Sequence, residues 1–186
     1  MIQYIFKLPW LVRGFFYKFL FQNVGWPSYI GSPLFLKGVS RVSLGKRVRL
    51  FPGFRIETHG KAGRIRIGNN VGIGQGFHCT AAGHLEIGDG TTILGFVFIT
   101  DIDHDYAQVG LPVLEQPFII RPTKIGGNCF IGFGACIQAG TILGDNCIVG
   151  AGSVLRGEYP PLSVIVGTPG RIVKQFDPDN RIWRRL

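Results

Sequence analysis

Ile125, Ile131, Ile137, Leu143, Val149 and Leu155 recur at an interval of six residues without a break. Two positions before each stands a small or slim side chain: Thr123, Cys129, Ala135, Thr141, Cys147 and Ser153. Glycine follows the aliphatic residue at Gly126, Gly132, Gly144 and Gly150. An α-helix repeats near 3.6 residues and a simple strand near 2, so neither accounts for a strict six. A six-residue period belongs to a parallel β-helix, with one short strand and one turn in each repeat.

The same register occurs earlier in three offset sets: Leu44, Leu50 and Ile56; Ile67, Ile73 and Cys79; Ile87, Ile93 and Ile99. Three hexads make one triangular coil, so three sets of three and a run of six predict about five coils, stacked ~4.8 Å apart. The aliphatic side chains should fill the prism. Glycine, with Asn70 and Asn146, suits the turns because these residues tolerate positive φ. The interruptions after Ile56 and Cys79 are expected to be small corner insertions, and the long break from Ile99 to Ile125 a protruding loop.

The chain therefore divides into an N-terminal helix and linker (1–36), a β-helix domain (37–176, with a loop at 100–122) and a C-terminal tail (177–186). Its 186 residues suit one domain with a small appendage, and its 28 glycines fit a turn in every hexad. The four cysteines show no metal-ligand spacing, and Cys79, Cys129 and Cys147 occupy inward hexad positions. They are read as buried thiols rather than disulfides, which points to a reducing, cytoplasmic compartment.

Charge is distributed unevenly. The net charge is +9; residues 1–56 carry nine Lys and Arg and no acidic residue, whereas the remainder carries eleven of each sign. No nucleic-acid motif accompanies this excess, so the expected partner is an anionic membrane surface. The first 21 residues agree. Ile2, Ile5, Phe6, Leu8, Trp10, Leu11, Val12, Phe15, Phe16, Phe19, Leu20 and Phe21 are punctuated by Lys7, Arg13 and Lys18. Those cations and Pro9 argue against a spanning helix or a signal peptide, and favour one lying at the interface. A helix that caps the open end of the coils, or meets a neighbouring subunit, fits equally.

Chemistry on such a scaffold is expected where the repeat breaks. The break opens with Asp101-Ile102-Asp103-His104-Asp105-Tyr106. A carboxylate that fixes the imidazole tautomer suits His104 to general-base work, and any of the three aspartates could supply it, with Asp103 and Asp101 preferred.

The stretch from Pro122 to Ala135, then Gly140 to Asn146, Val149-Gly-Ala-Gly-Ser-Val and Val166-Gly-Thr-Pro-Gly-Arg-Ile-Val-Lys, resembles the hexapeptide-repeat acyltransferases. Within them it is most similar to sugar and polysaccharide O-acetyltransferases of the maltose and galactoside group. The resemblance covers about Leu44 to Phe176. It implies a left-handed β-helix, an acetyl-CoA donor, a sugar, nucleotide-sugar or lipid-linked glycan acceptor, no metal, and a homotrimer with sites between subunits. It implies His104 as the catalytic base. It assigns Gly134, Ala135, Ala151, Gly152, Ser153, Thr168, Arg171 and Lys174 to the coenzyme, the last two near its phosphates. His78 and Thr80, in a His-x-Thr-Ala string, and Asp105 are assigned to the acceptor. Two departures stand out: Phe130 replaces a frequent Trp, and Gly76 replaces an acceptor-binding Asn. His59 and His84 are expected to be exposed corner residues. The alternatives are a γ-type carbonic anhydrase, for which the four histidines lack the paired spacing, and an inactive β-helix binding module.

Overall fold

Three aliphatic ladders run through the molecule, one behind each wall of a triangular prism. The computed structural model describes residues 7–186. Behind the first wall stack Val24, Leu44, Ile67, Ile87, Ile125, Leu143 and Tyr159. Behind the second stack Ile30, Leu50, Ile73, Ile93, Ile131, Val149 and Ile165. Behind the third stack Leu36, Ile56, Cys79, Ile99, Ile137 and Leu155. All strand pairs within the coils are parallel, and nearly every ladder residue is fully buried. Each such side chain contributes roughly 1.5–3 kcal/mol by leaving water.

The ladders number the coils at about seven, not five. The two missed coils lie at the ends. Val24 and Ile30 keep the six-residue register and precede Gly25 and Gly31, but Pro27 and Pro33 make the segment look like a linker. Proline is tolerated there because an end strand has a side with no ladder hydrogen bond to donate. At the other end Tyr159 takes an aliphatic position and Ile165 follows six residues later. The tail is not free either. Arg171–Asp177 adds antiparallel to Ser163–Val166, and Ile182–Arg185 pairs with it in turn.

The slim hexad residues knit successive coils together. Thr91 Oγ1 donates to Gly126 O (2.9 Å) and accepts from Cys129 N (3.1 Å). Thr141 Oγ1 donates to Leu155 O at 3.1 Å. The Cys129 and Cys147 thiols donate to Gly144 O and Pro160 O, and all four cysteines are free. Positive φ falls at Asn70, Asn128 and Asn146, and at Gly134, Gly140 and Gly152. The glycines directly after the aliphatic residues serve another purpose. A Cβ on Gly132 would lie 2.5 Å from Ala151 N, so close coil stacking requires them rather than turn conformation.

Helix α1 (Leu8–Phe16) packs across the first coil. Gly14 is buried against Ser28, the Arg13 guanidinium donates to Ile30 O at 3.0 Å, and Trp10 meets Phe51 edge-on at 5.3 Å. Ile2, Ile5 and Phe6 lie outside the described residues. Leu8, Val12, Phe15, Phe16, Phe19 and Leu20 remain exposed. Among the described residues no helix is long and apolar enough to cross a membrane.

Candidate active site

In-register parallel stacking places equal hexad positions above one another. On the third wall the position before each ladder residue carries Arg55, His78, Phe98 and Cys136; the position after it carries Glu57, Thr80, Thr100, Gln138 and Arg156. These side chains form one face of a cavity of about 490 Å³. The long loop supplies the other face. Its base is a ribbon in which Ile102–His104 pairs antiparallel with Phe118–Ile120, setting His104 opposite Phe118. The Gln116 side chain, buried inside the loop, binds Gln108 and Leu111 and gives the tip a fixed shape.

His104 enters this cavity half-buried, its ring edge-on to Phe118 at 5.2 Å. Its Nδ1 is buried and makes no hydrogen bond to the described residues. The three neighbouring aspartates are occupied elsewhere, which corrects the expected carboxylate–imidazole contact. Asp101 is fully buried and accepts the Ala82 and Gly83 amides at 2.8 and 2.9 Å, tying the loop to the preceding coil. Burial pushes its carboxyl above the usual aspartate value, against those two amides. Asp103 accepts both Arg156 Nη atoms at 2.8 Å, with Arg121 Nε at 3.5 Å. Arg156 holds the Asp103 carboxyl below its usual value. Asp105 accepts the Ala107 amide at 2.9 Å in a local turn.

His78 and Thr80 line the cavity as expected; Asp105 does not. The cavity also contains a charged cluster that the sequence reading passed over. Glu57 is 6% exposed and bound by Arg55. His59 and His78 turn their Nε2 atoms toward it at 3.7 and 3.6 Å. Burial pushes the Glu57 carboxyl up, but Arg55 and the two imidazoles outweigh it and hold it low. Burial, together with nearby cations, lowers both imidazoles from the usual histidine value, against the pull of Glu57. His59 is thus a cavity residue rather than an exposed corner. His84 is exposed, beside Glu86 at 3.4 Å. Arg156 is the other missed residue. Its signal was available, because it is one hexad position past Leu155, as Glu57 is past Ile56.

A second cavity, of about 450 Å³, shares Gln138 and Arg156 with the first and extends past Pro169 to Arg171. The corner beside it is a line of stacked turns. Gly134 N donates to Gly95 O, Gly152 N to Phe133 O, and Thr168 Oγ1 to Gly152 O. A Cβ at Gly134 or Gly152 would meet nothing within 4 Å, so this strip is open. Ala135 and Ser153 are buried, and Ser153 Oγ accepts the Gly167 amide at 3.0 Å. Only their main chain can face a ligand. Ala151, Thr168 and Arg171 are exposed along this edge, and Lys174 is exposed farther on, where its strand pairs with Val164. Among the described residues no group of three His, Cys, Asp or Glu side chains stands ready to hold a metal.

The family described as "Hexapeptide repeat of succinyl-transferase" matches residues 122–156. The chain is 30% identical over 136 residues to a Mycobacterium tuberculosis protein named as an acetyltransferase, Rv3034c, covering 73% of this chain and 45% of that one. It thus spans less than half of that relative. It is 27% identical over 160 residues to the Escherichia coli K12 protein named as a lipopolysaccharide biosynthesis O-acetyl transferase, WbbJ, covering 82% and 81%. A maltose O-acetyltransferase structure from Clostridium difficile 630 superposes with a TM-score of 0.61 at 27% identity, covering 89% and 75%. A variant of AntD, an N-acyltransferase from Bacillus cereus, superposes at 0.74 over 90% and 91%; that structure holds dTDP-4-amino-4,6-dideoxyglucose and coenzyme A. At 18% identity the AntD likeness is one of fold.

Proposed function

We propose that this chain, which matches a hexapeptide-repeat family over residues 122–156, is an acyltransferase that transfers an acetyl group from acetyl-CoA to a hydroxyl of a sugar or polysaccharide precursor. The observation that carries the reading is the junction of the two cavities at Arg156. An acceptor can enter beside His78 and His104 while a coenzyme lies along the open strip toward Arg171, and the two meet at the loop. In this reading His104 removes the hydroxyl proton as the oxygen attacks the thioester carbonyl. The carbon–sulfur bond then breaks, and the coenzyme thiolate recovers the proton from the imidazolium. A thioester is already activated, so alignment of the two substrates suffices and no acyl-enzyme is required. Main-chain N–H groups beside the strip would stabilise the oxyanion, where charge develops. Arg171 and Lys174 would meet the coenzyme phosphates.

The decisive experiment incubates the protein with acetyl-CoA and panels of free sugars, nucleotide sugars and lipid-linked glycans. Thiol release and a 42-dalton gain in the acceptor (about the mass of an acetyl group) are the expected result. Thiol release equal to the no-acceptor control with every panel would favour a β-helix used only for binding.

The assembly proposed with this activity is a homotrimer, the arrangement that the family resemblance implies. Its proposed setting is the inner face of an anionic membrane. The support is the exposed apolar side of α1 and Phe19, combined with nine cations and no acid in residues 1–56. Lys18 stacks over Phe15 and Trp26 and keeps a cation beside that apolar face. The four free thiols agree with a cytoplasmic setting.

A further inference from the structure

We infer that Glu57, with His78 and His59, forms a second hydroxyl-binding point in the acceptor cavity and decides which acceptors are taken. The inference rests on the acetyl-transfer reading above. Glu57 is a nearly buried carboxylate, and burying a charge is costly unless it is paired. Arg55 supplies one partner. The two imidazoles face it at 3.6 and 3.7 Å, too far for hydrogen bonds. His78 Nε2 is buried and makes no hydrogen bond to the described residues. A buried polar atom left unsatisfied costs stability, and such atoms call for an explanation in function or in an unseen ligand.

The chemistry of the cluster selects its ligand. A carboxylate only accepts hydrogen bonds, whereas a neutral imidazole can donate one. A hydroxyl does both, so it can donate to Glu57 while accepting from His78. An anionic ligand would be repelled by Glu57. Aromatic faces suited to the C–H surface of a sugar ring flank the point: Phe98 tilts against His78 at 4.9 Å, and Phe118 meets His59 at 5.7 Å. The same Phe118 ring meets His104 at 5.2 Å, so the cluster lies one ring away from the proposed base. The hydroxyl held at Glu57 is therefore not the one acetylated.

The test uses the methyl glycosides of glucose, galactose, mannose and N-acetylglucosamine, with monodeoxy analogues of each one that is acetylated. Wild type, Glu57→Gln and Glu57→Asp are compared. In wild type, loss of one hydroxyl other than the acetylated one should lower kcat/KM by about 10- to 100-fold, the range expected of a charge-assisted hydrogen bond. Glu57→Gln should lower activity on the parent glycoside by a similar factor, mainly through KM, and should then be indifferent to that deletion. Glu57→Asp should keep part of the discrimination, and coenzyme A affinity should be unchanged in both variants. A Glu57→Gln enzyme that retains the full deoxy penalty overturns the inference and leaves acetyl transfer standing. So does a variant that loses coenzyme A affinity along with kcat, which marks a structural role. A wild-type enzyme that acetylates no glycoside overturns the acetyl-transfer reading for this acceptor class, and the inference with it.

Discussion

One methyl group separates the two kinds of glycine in this chain. At Gly132 an added Cβ would sit 2.5 Å from the Ala151 amide nitrogen of the next coil. At Gly134 it would meet nothing within 4 Å, but φ is +68°. Gly132→Ala must push two coils apart and should cost about 2–4 kcal/mol, at or above the usual range for overpacking. Gly134→Ala bears only the left-handed conformation, about 1 kcal/mol. Urea unfolding of both variants at one protein concentration checks the order; equal midpoints would mean that coil spacing is not what these glycines protect. The histidines divide in a similar way. His104→Ala should lower kcat by at least ~10²-fold with coenzyme A affinity intact, the size expected for a positioned base. His84→Ala should be close to silent. Turnover within a few-fold of wild type would remove His104 from the mechanism. The hexad pattern predicted the exposed His84 correctly and misjudged His59, because a turn residue's exposure depends on what lies across from it. Here that is Phe118, on a loop that the repeat does not describe.

Two aspartates hold the loop as an element: Asp101 through the Ala82 and Gly83 amides, and Asp103 through Arg156. Asp103 stands beside His104 in sequence, and Arg156 comes from a coil far along the chain, so their bidentate pair pins the strand Ile102–His104 to the prism. Arg156→Ala should lower kcat by about 10-fold or more through misplaced chemistry, since small displacements of reacting groups are expensive. Amide exchange of Ile102–His104 should rise in the variant. The pH dependence has a definite sign. Arg156 depresses the folded carboxyl value of Asp103, so the clamp contributes fully above the ordinary aspartate range and is lost as pH falls through the depressed value. Loop protection in wild type should therefore hold at neutral pH and fall only in acid. Protection that is equal in wild type and Arg156→Ala at neutral pH would discard the clamp. The sequence placed this loop correctly, and its cavity partners were legible through the register, yet the partner of Asp103 was not. Nothing local links residues so far apart. Only the stacking of coils brings them together.

At the scale of the whole molecule, the proposed membrane contact joins the basic N-terminal segment, residues 1–56, to the uncovered helix face. Phe16 and Phe19 are 60% and 77% exposed, and Lys18 sits between them in sequence. Apolar side chains can enter a headgroup boundary, and each nearby cation adds about 1 kcal/mol on an anionic surface. Three copies in a trimer would bind by avidity. The Phe16→Ser, Phe19→Ser, Lys18→Glu triple variant should lose co-sedimentation with anionic vesicles, and wild-type binding should weaken at high salt. These positions are exposed, so the fold should survive; deleting the segment outright would expose Phe21 and Val24 of the core. Wild-type protein that stays in solution with anionic vesicles would make the helix an end cap or a subunit contact.

The six-residue period determined by itself the β-helix, the inward ladders, the buried thiols and the site of the loop. Each follows from a local rule repeated along the chain, and a local rule is visible in sequence. The end coils were hidden because Pro27, Pro33 and Tyr159 suit positions with fewer neighbours, where the rule is relaxed. Tertiary structure decided the pairing of Asp103 with Arg156, the release of His104 from its neighbouring aspartates, and the burial of Glu57 between two histidines. Those features arise where side chains from separate coils meet across the loop, and their energies depend on distance and burial rather than on order along the chain.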